Sequence, residues 1–167
     1  IGHKPGEGVK AISLVSDGES TLNKYYYRFI EAAHARSIDI ASGTNGEALK
    51  KEMMPMLVDN LTYLRINFNA ATPAANAKIM GTTEKAFERV IENVKELVRV
   101  KKERNGKLTI GLQMVLMPAY GDQIVPLAKF GKTLGVDYFL IKHCSDDEAG
   151  RIGVDYSWYM IPEALAL

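Results

Sequence analysis

The chain alternates short apolar runs with longer segments whose apolar residues recur at helical spacing, and each run ends in a polar turn. The first run lies in residues 11–21, AISLVSDGEST, and stops at Asp17, Gly18 and Glu19. Residues 22–36 carry Tyr26, Phe29, Ile30 and Ala33 on one stripe, which predicts an amphipathic helix. A second apolar run, 38–41, leads into Ser42-Gly43-Thr44-Asn45-Gly46, with Asn45 placed to cap a helix over 47–59. The third strand covers 61–69. Thr72, Pro73 and Gly81 then mark a loop, and Thr82 and Thr83 are candidate caps for the longest helix. Its buried stripe is Phe87, Val90, Ile91, Val94, Leu97 and Val98, and Asn105-Gly106 ends it. A fourth strand, 108–116, is halted by Pro118. Asp122 is placed to cap a helix that runs to Leu134, with Gly135 as a left-handed C-cap. The fifth strand covers 136–141, and 155–167 reads as one further short helix.

Parallel strands joined by helices need right-handed crossovers, which leaves an open doubly wound sheet or part of a β/α barrel. The third strand separates the two. Leu64, Ile66 and Phe68 point one way while Arg65, Asn67 and Asn69 point the other. In a doubly wound sheet both faces lie under helices, and each unpaired polar group there costs about 1–3 kcal/mol. A barrel lumen removes that conflict. The expected fold is therefore α/β, a parallel β-sheet curved into a partial (β/α) TIM-like barrel of about five strands with flanking helices. The alternative places the third strand at a sheet edge with its polar face in water. Gln113 shares a face with Thr109, Gly111 and Val115 and adds to the polar side.

Length and composition narrow the class further. A chain of 167 residues with 47% hydrophobic content suits one domain spanning 1–167. The formal charge of +1 gives no general pull towards nucleic acid or membrane, and neither partner is expected. One cysteine, Cys144, excludes an internal disulfide and fits a reducing compartment. No run is long and apolar enough for a membrane helix, and the opening IGHKPGEGVK lacks a signal-peptide core, so a soluble cytoplasmic protein is expected. The chemistry-bearing residues outside the strand ends form weak patterns. His143, Cys144, Asp146 and Asp147 include metal-ligand types, but they crowd together without the distant second pair of a tetrahedral site. KPGEGVK lacks the Gly-Lys-Ser/Thr ending of a phosphate loop. Lys142 could serve an ordinary barrel lyase as a Schiff-base amine.

The order Asp17-Gly18-Glu19 after one strand, Thr44-Asn45-Gly46 after the next and YLRINFNA as the third resembles the radical S-adenosylmethionine (SAM) superfamily. That family uses a partial β/α barrel to hold SAM and a 4Fe-4S cluster, and Asp17 stands where it usually has a first glycine. By this resemblance Gly18 and Glu19 receive the methionine ammonium, and Ser42, Thr44 and Asn45 lie on the same rim. Arg65, Asn67 and Asn69 are similar to the polar strand that contacts ribose or carboxylate. Gln113 to Met117 stand where the family contacts adenine. Lys142 and His143 follow the last strand and are the candidate substrate contacts; alternation sets them on opposite faces. The resemblance also implies a departure. The family's Cys-x3-Cys-x2-Cys loop is absent, so the expectation is a core lacking an N-terminal strand and cluster loop, with the 4Fe-4S cluster ligated elsewhere in a complete parent. A complete enzyme would generate a 5′-deoxyadenosyl radical for hydrogen abstraction from a small-molecule or peptide substrate. A non-catalytic ligand-binding or scaffold domain is the alternative. A missing barrel strand would also leave an exposed edge able to promote self-association.

Overall fold

A computed structural model describes residues 8–15, 18–146 and 148–160. Asp17 and Asp147, two of the residues singled out above, lie outside them. Five parallel strands form one sheet in sequential order: β1 (Ala11–Leu14), β2 (Asp39–Thr44), β3 (Tyr63–Asn67), β4 (Thr109–Leu116) and β5 (Tyr138–His143). The helices between them are α1 (Tyr26–His34), α2 (Met54–Asn60), α3 (Pro73–Met80), α4 (Glu84–Glu103) and α5 (Ile124–Leu134). Because β3 pairs with β2 on one side and β4 on the other, it is the central strand and the edge alternative falls.

Register sorts the two faces. One carries Ile40, Leu64, Ile66, Ile110, Leu112 and Met114, each fully buried against α1, α2, α4 and α5. The other carries Ser13, Gly43, Arg65, Asn67, Gly111, Gln113, Tyr138 and Lys142, and this second face is the lumen side. The longest helix, α4, lays Phe87, Val90, Ile91, Val94, Leu97 and Val98 on the sheet, as its sequence stripe predicts. Thr83 caps it by accepting from the Ala86 N–H, while Thr82 makes no cap. Gly135 ends α5 at φ +77°, in the left-handed region.

Several boundaries differ from the sequence reading, and each has a local cause. The stretch read as a loop around Thr72 to Gly81 contains α3, capped by Thr72 accepting from the Ala75 N–H and ended by Gly81. It buries only Asn76, so it lacks the apolar stripe that reveals a helix. α2 begins at Met54 after a single 3-10 turn, not at Glu47. Asn45 instead folds its own turn, its Oδ1 accepting from the Glu47 N–H. Ser42, Gly43 and Thr44 belong to β2, not to a turn. α1 starts at Tyr26, following a 3-10 turn over Ser20–Leu22. Asp122 does not cap α5; its carboxylate accepts from Gln123 Nε2. Tyr156–Met160 is a 3-10 turn, and the rest of the segment read as a terminal helix lies outside the described residues. No helix among the described residues is long and apolar enough to cross a membrane.

Candidate functional site

Parallel strands deliver their carboxyl ends to one rim, so the turns after β1 and β2 and the end of β3 converge. Glu19 joins them. Its Oε1 accepts from the Thr21 N–H at 3.1 Å, the Thr21 hydroxyl at 2.6 Å and the Thr44 hydroxyl at 2.6 Å. Its Oε2 accepts from the Asn45 N–H at 2.7 Å. Thr44 Oγ1 in turn accepts from the Gly46 N–H at 3.0 Å, so the carboxylate ties one strand end to the next. Burial pushes the Glu19 carboxyl up, but the hydrogen bonds from Asn45, Thr21 and Thr44 outweigh it and hold it below its ordinary value. Glu19 is thus ionised at neutral pH. A carboxylate offers about four lone-pair sites, and Oε2, which accepts from Asn45 alone where Oε1 accepts from three donors, keeps capacity for another donor.

Beside it lies a hollow of about 250 Å³, lined by Gly18, Glu19, Gly43, Asn45, Arg65 and Asn67 among others. The Arg65 side chain lies over Gly43: a methyl group at position 43 would sit 3.4 Å from Arg65 Nη2, in van der Waals contact with it. The guanidinium therefore lies across β2 and faces the same hollow as Glu19. Among the described residues Arg65 has no carboxylate partner, and its Nε–H is buried without a hydrogen bond. Two further side-chain atoms share that condition, Gln113 Oε1 and the Tyr138 hydroxyl. All three stand on the lumen face. An unpaired buried polar atom costs about 1–3 kcal/mol, so the lumen face carries the unmet hydrogen-bonding capacity of the sheet, and of the three only Arg65 also lines the hollow.

The remaining candidates divide between rim, support and neither. Asn67 lines the hollow and its Oδ1 accepts from Gln113 Nε2 at 3.1 Å. Asn69 is committed to the scaffold: its Oδ1 accepts from the Val115 N–H and its Nδ2 approaches Met80 Sδ at 3.1 Å. Ser42 faces the helix layer, 2% exposed and 2.9 Å from the Tyr26 hydroxyl, so it braces α1 against β2 away from the lumen. Met117 borders a different cavity of about 480 Å³, with Ala75, Ile79 and Tyr120. Lys142 is exposed on the lumen side, in register with Val115. His143 points to the other face, its ring 5.5 Å from that of Tyr159. Asp146 closes its own loop by accepting from the Ile152 and Val154 N–H groups.

Among the described residues no group of three His, Cys, Asp or Glu side chains could hold a metal ion. Sequence reasoning missed Thr21, Gly43, Tyr63 and Tyr138. For Tyr63 the signal was present, since it stands two residues before Arg65 and so shares its face. Tyr138 could be placed only with the register of β5 in hand.

Solved structures with this fold include SuiB of Streptococcus suis bound to S-adenosylmethionine, at TM-score 0.68 and 18% identity over 83% of this chain and 30% of that one. A domain of a pyruvate-formate lyase-activating enzyme from Bacteroides vulgatus aligns at TM-score 0.61 and 13% identity, covering 87% of this chain and 90% of that one. A polyhistidine-tagged anSMEcpe with bound AdoMet aligns at TM-score 0.60 and 15% identity, over 84% of this chain and 37% of that one. The chain thus spans under half the length of SuiB and anSMEcpe. No curated protein sequence matches it significantly. The profile of the Radical SAM superfamily matches residues 3–130, more than half of the sequence, and the chain belongs to that superfamily.

Proposed function

We propose that this chain is the SAM-binding core of a radical enzyme, with the hollow beside Glu19 as the seat of the methionine end of the cofactor. The observation that carries the reading is the pairing of an ionised carboxylate with a guanidinium that has no carboxylate partner among the described residues, across one hollow at the strand ends. A methionine ammonium and carboxylate present the complementary charges, and each charge-assisted hydrogen bond contributes about 1.5–3 kcal/mol. The residues present fit that group. Glu19 Oε2 receives the ammonium N–H, and Thr21, Thr44 and the Asn45 N–H keep the carboxylate ionised and aimed. Arg65, leaning over Gly43, takes the carboxylate or a ribose oxygen, and Asn67 offers its amide to the ribose. The backbone from Gln113 to Met117 lies along the adenine side. Lys142, on the lumen face of β5, stands towards the substrate. When bound, the cofactor supplies hydrogen-atom abstraction chemistry, while the protein orients it and keeps water out.

A 4Fe-4S cluster does not fit the residues of this chain. Three thiolates are needed and Cys144 is the single cysteine, so the reading assigns the cluster ligands to sequence outside these 167 residues. Anaerobic reconstitution of the full-length protein with iron and sulfide, followed by a SAM cleavage assay, tests it. The expected result is a 4Fe-4S absorption spectrum with reductive SAM cleavage that falls at least tenfold in Glu19→Ala, about the worth of one charge-assisted hydrogen bond. SAM binding without cluster formation would favour a second reading, a ligand-binding scaffold, which the single cysteine itself supports. Absence of both binding and cleavage would remove the first.

A further inference from the structure

The apolar stripe that α4 lays on the sheet is interrupted by one polar residue. Asn93 is 3% exposed, beside Val94 and between Val90 and Leu97. An amide buried among apolar side chains persists where it is hydrogen-bonded, so the destination of its bonds is what matters. Its Nδ2 donates to the Gly46 carbonyl at 2.9 Å and reaches the Glu47 carbonyl at 3.4 Å. Both carbonyls belong to the turn after β2. Gly46 adopts φ +78°, and a methyl group there would meet Ile66 Cγ2 at 3.0 Å and Val90 Cγ1 at 3.1 Å, so the turn is pressed between β3 and α4. Arg89, about one helical turn before Asn93, adds an exposed tie to the Glu47 carboxylate at 2.9 Å.

The other side of this turn serves Glu19. The Asn45 N–H donates to Oε2, and the Gly46 N–H donates to Thr44 Oγ1, whose own proton goes to Oε1. Gly46 is thus held through its carbonyl by α4, while its N–H holds the threonine that reaches the carboxylate. Asn93 itself does not line the hollow. We propose that Asn93 is a positioning residue for the cofactor site: from α4 it anchors the turn after β2, and through that turn it keeps the Glu19 carboxylate aimed at the methionine ammonium. The proposal rests on the reading that the hollow takes SAM. A turn released from α4 draws the Asn45 N–H and the Thr44 hydroxyl off the carboxylate together, so the loss appears at Glu19 although the substitution is made on a helix behind it.

Two measurements on the full-length protein test this. Calorimetry of SAM binding by the anaerobically reconstituted protein should show a dissociation constant raised about tenfold in Asn93→Leu, roughly what one charge-assisted hydrogen bond is worth. Asn93→Leu keeps the side-chain volume, and Asn93→Ala repeats the deletion without bulk, so the test does not hang on one variant folding. Val94→Ala is the control: it empties buried volume one residue along α4 and removes no hydrogen bond, so it should lower Tm with SAM affinity held within about twofold. The second measurement is the titration of Glu19 by carbon-13 NMR on the protein before reconstitution, with Glu19→Gln assigning the signal. Its midpoint lies below the ordinary 4.5 in the wild type and should rise towards it in Asn93→Leu, but not in Val94→Ala. The other titratable groups around the carboxylate, Arg65, Glu47, Arg89, Tyr26 and Tyr27, are present in all these variants. A lower Tm in Asn93→Leu with the Glu19 midpoint and SAM affinity unmoved would overturn the proposal, since the amide would then hold the fold alone. Equal losses of SAM affinity in Val94→Ala and Asn93→Leu would overturn it too. No SAM uptake by the wild type removes the earlier reading, whereas uptake that Asn93→Leu leaves intact removes this one alone.

Discussion

Glu19 shows how one carboxylate can serve both fold and ligand. Its hydrogen bonds from Thr21, Thr44 and Asn45 hold its folded-state value below the ordinary 4.5. A group shifted in that direction stabilises the fold above its unfolded value and loses the contribution as pH falls through the folded value. Thermal unfolding between about pH 6 and pH 3 should therefore fall more steeply in wild type than in Glu19→Gln, which lacks the titrating group. Parallel slopes would show that these hydrogen bonds contribute nothing to stability. Ser42 makes a second test on the opposite face. Burial pushes the Tyr26 phenol up to about 12, against the lowering effect of its hydrogen bond with Ser42. Ser42→Ala leaves that hydroxyl unpaired and should cost about 1–3 kcal/mol in urea unfolding. Tyr26→Phe in the same background should recover much of the loss, because it removes the orphan along with its partner.

At the scale of elements, α3 carries the clearest lesson about what the sequence makes legible. The long apolar stripe of α4 and the strand–helix alternation are visible in the residues because burial imposes a period on them. α3 buries only Asn76, and its signals are the start and stop alone: Thr72 before Pro73, and Gly81 after Met80. Those same residues read equally well as a loop. The turn after β2 misled for a related reason, since Asn45 is as good at closing its own turn as at capping a helix, and the choice depends on where Leu49 and Met54 pack. At the site, the alternation in β3 exposed Arg65 and Asn67 directly, whereas the division of labour between Ser42 and Thr44 needed the neighbouring helix and loop. α3 also supports the end of β3 through Asn76, whose Oδ1 accepts from the Asn69 N–H at 3.4 Å. Thr72→Ala should cost about 1 kcal/mol and raise amide exchange within α3 ahead of the rest of the chain. Uniform exchange across α3 and α4 would mean that the cap is not what holds the helix.

At the scale of the whole molecule, the sheet ends in two strands, neither of which has a buried residue. Among the described residues β1 pairs only with β2, and β5 only with β4. Next to β1, a hollow of about 440 Å³ opens between the strand and α1, bordered by Ser13, Val15, Tyr25 and Phe29. Val15 and Tyr25 are more than half exposed. A strand paired on one side only, beside apolar surface, is a template for further pairing. The 167-residue chain on its own should therefore self-associate in sedimentation velocity, in a concentration-dependent way. Ser13→Lys should shift it towards monomer by placing a charge on that edge. A monomer at all accessible concentrations would show that this border is protected by other means.

Gly111 and Tyr138 together set a rule of exchange. The ring fills the volume that a side chain on β4 would claim, so the two positions share one allotment of space across neighbouring strands. Wherever a homologous barrel bears a methyl or larger group at the first position, its counterpart at the second must shrink or swing aside, and the floor between them changes shape as a unit. Enlarging the first position therefore calls for a change at the second, whereas shrinking the second opens that space by itself.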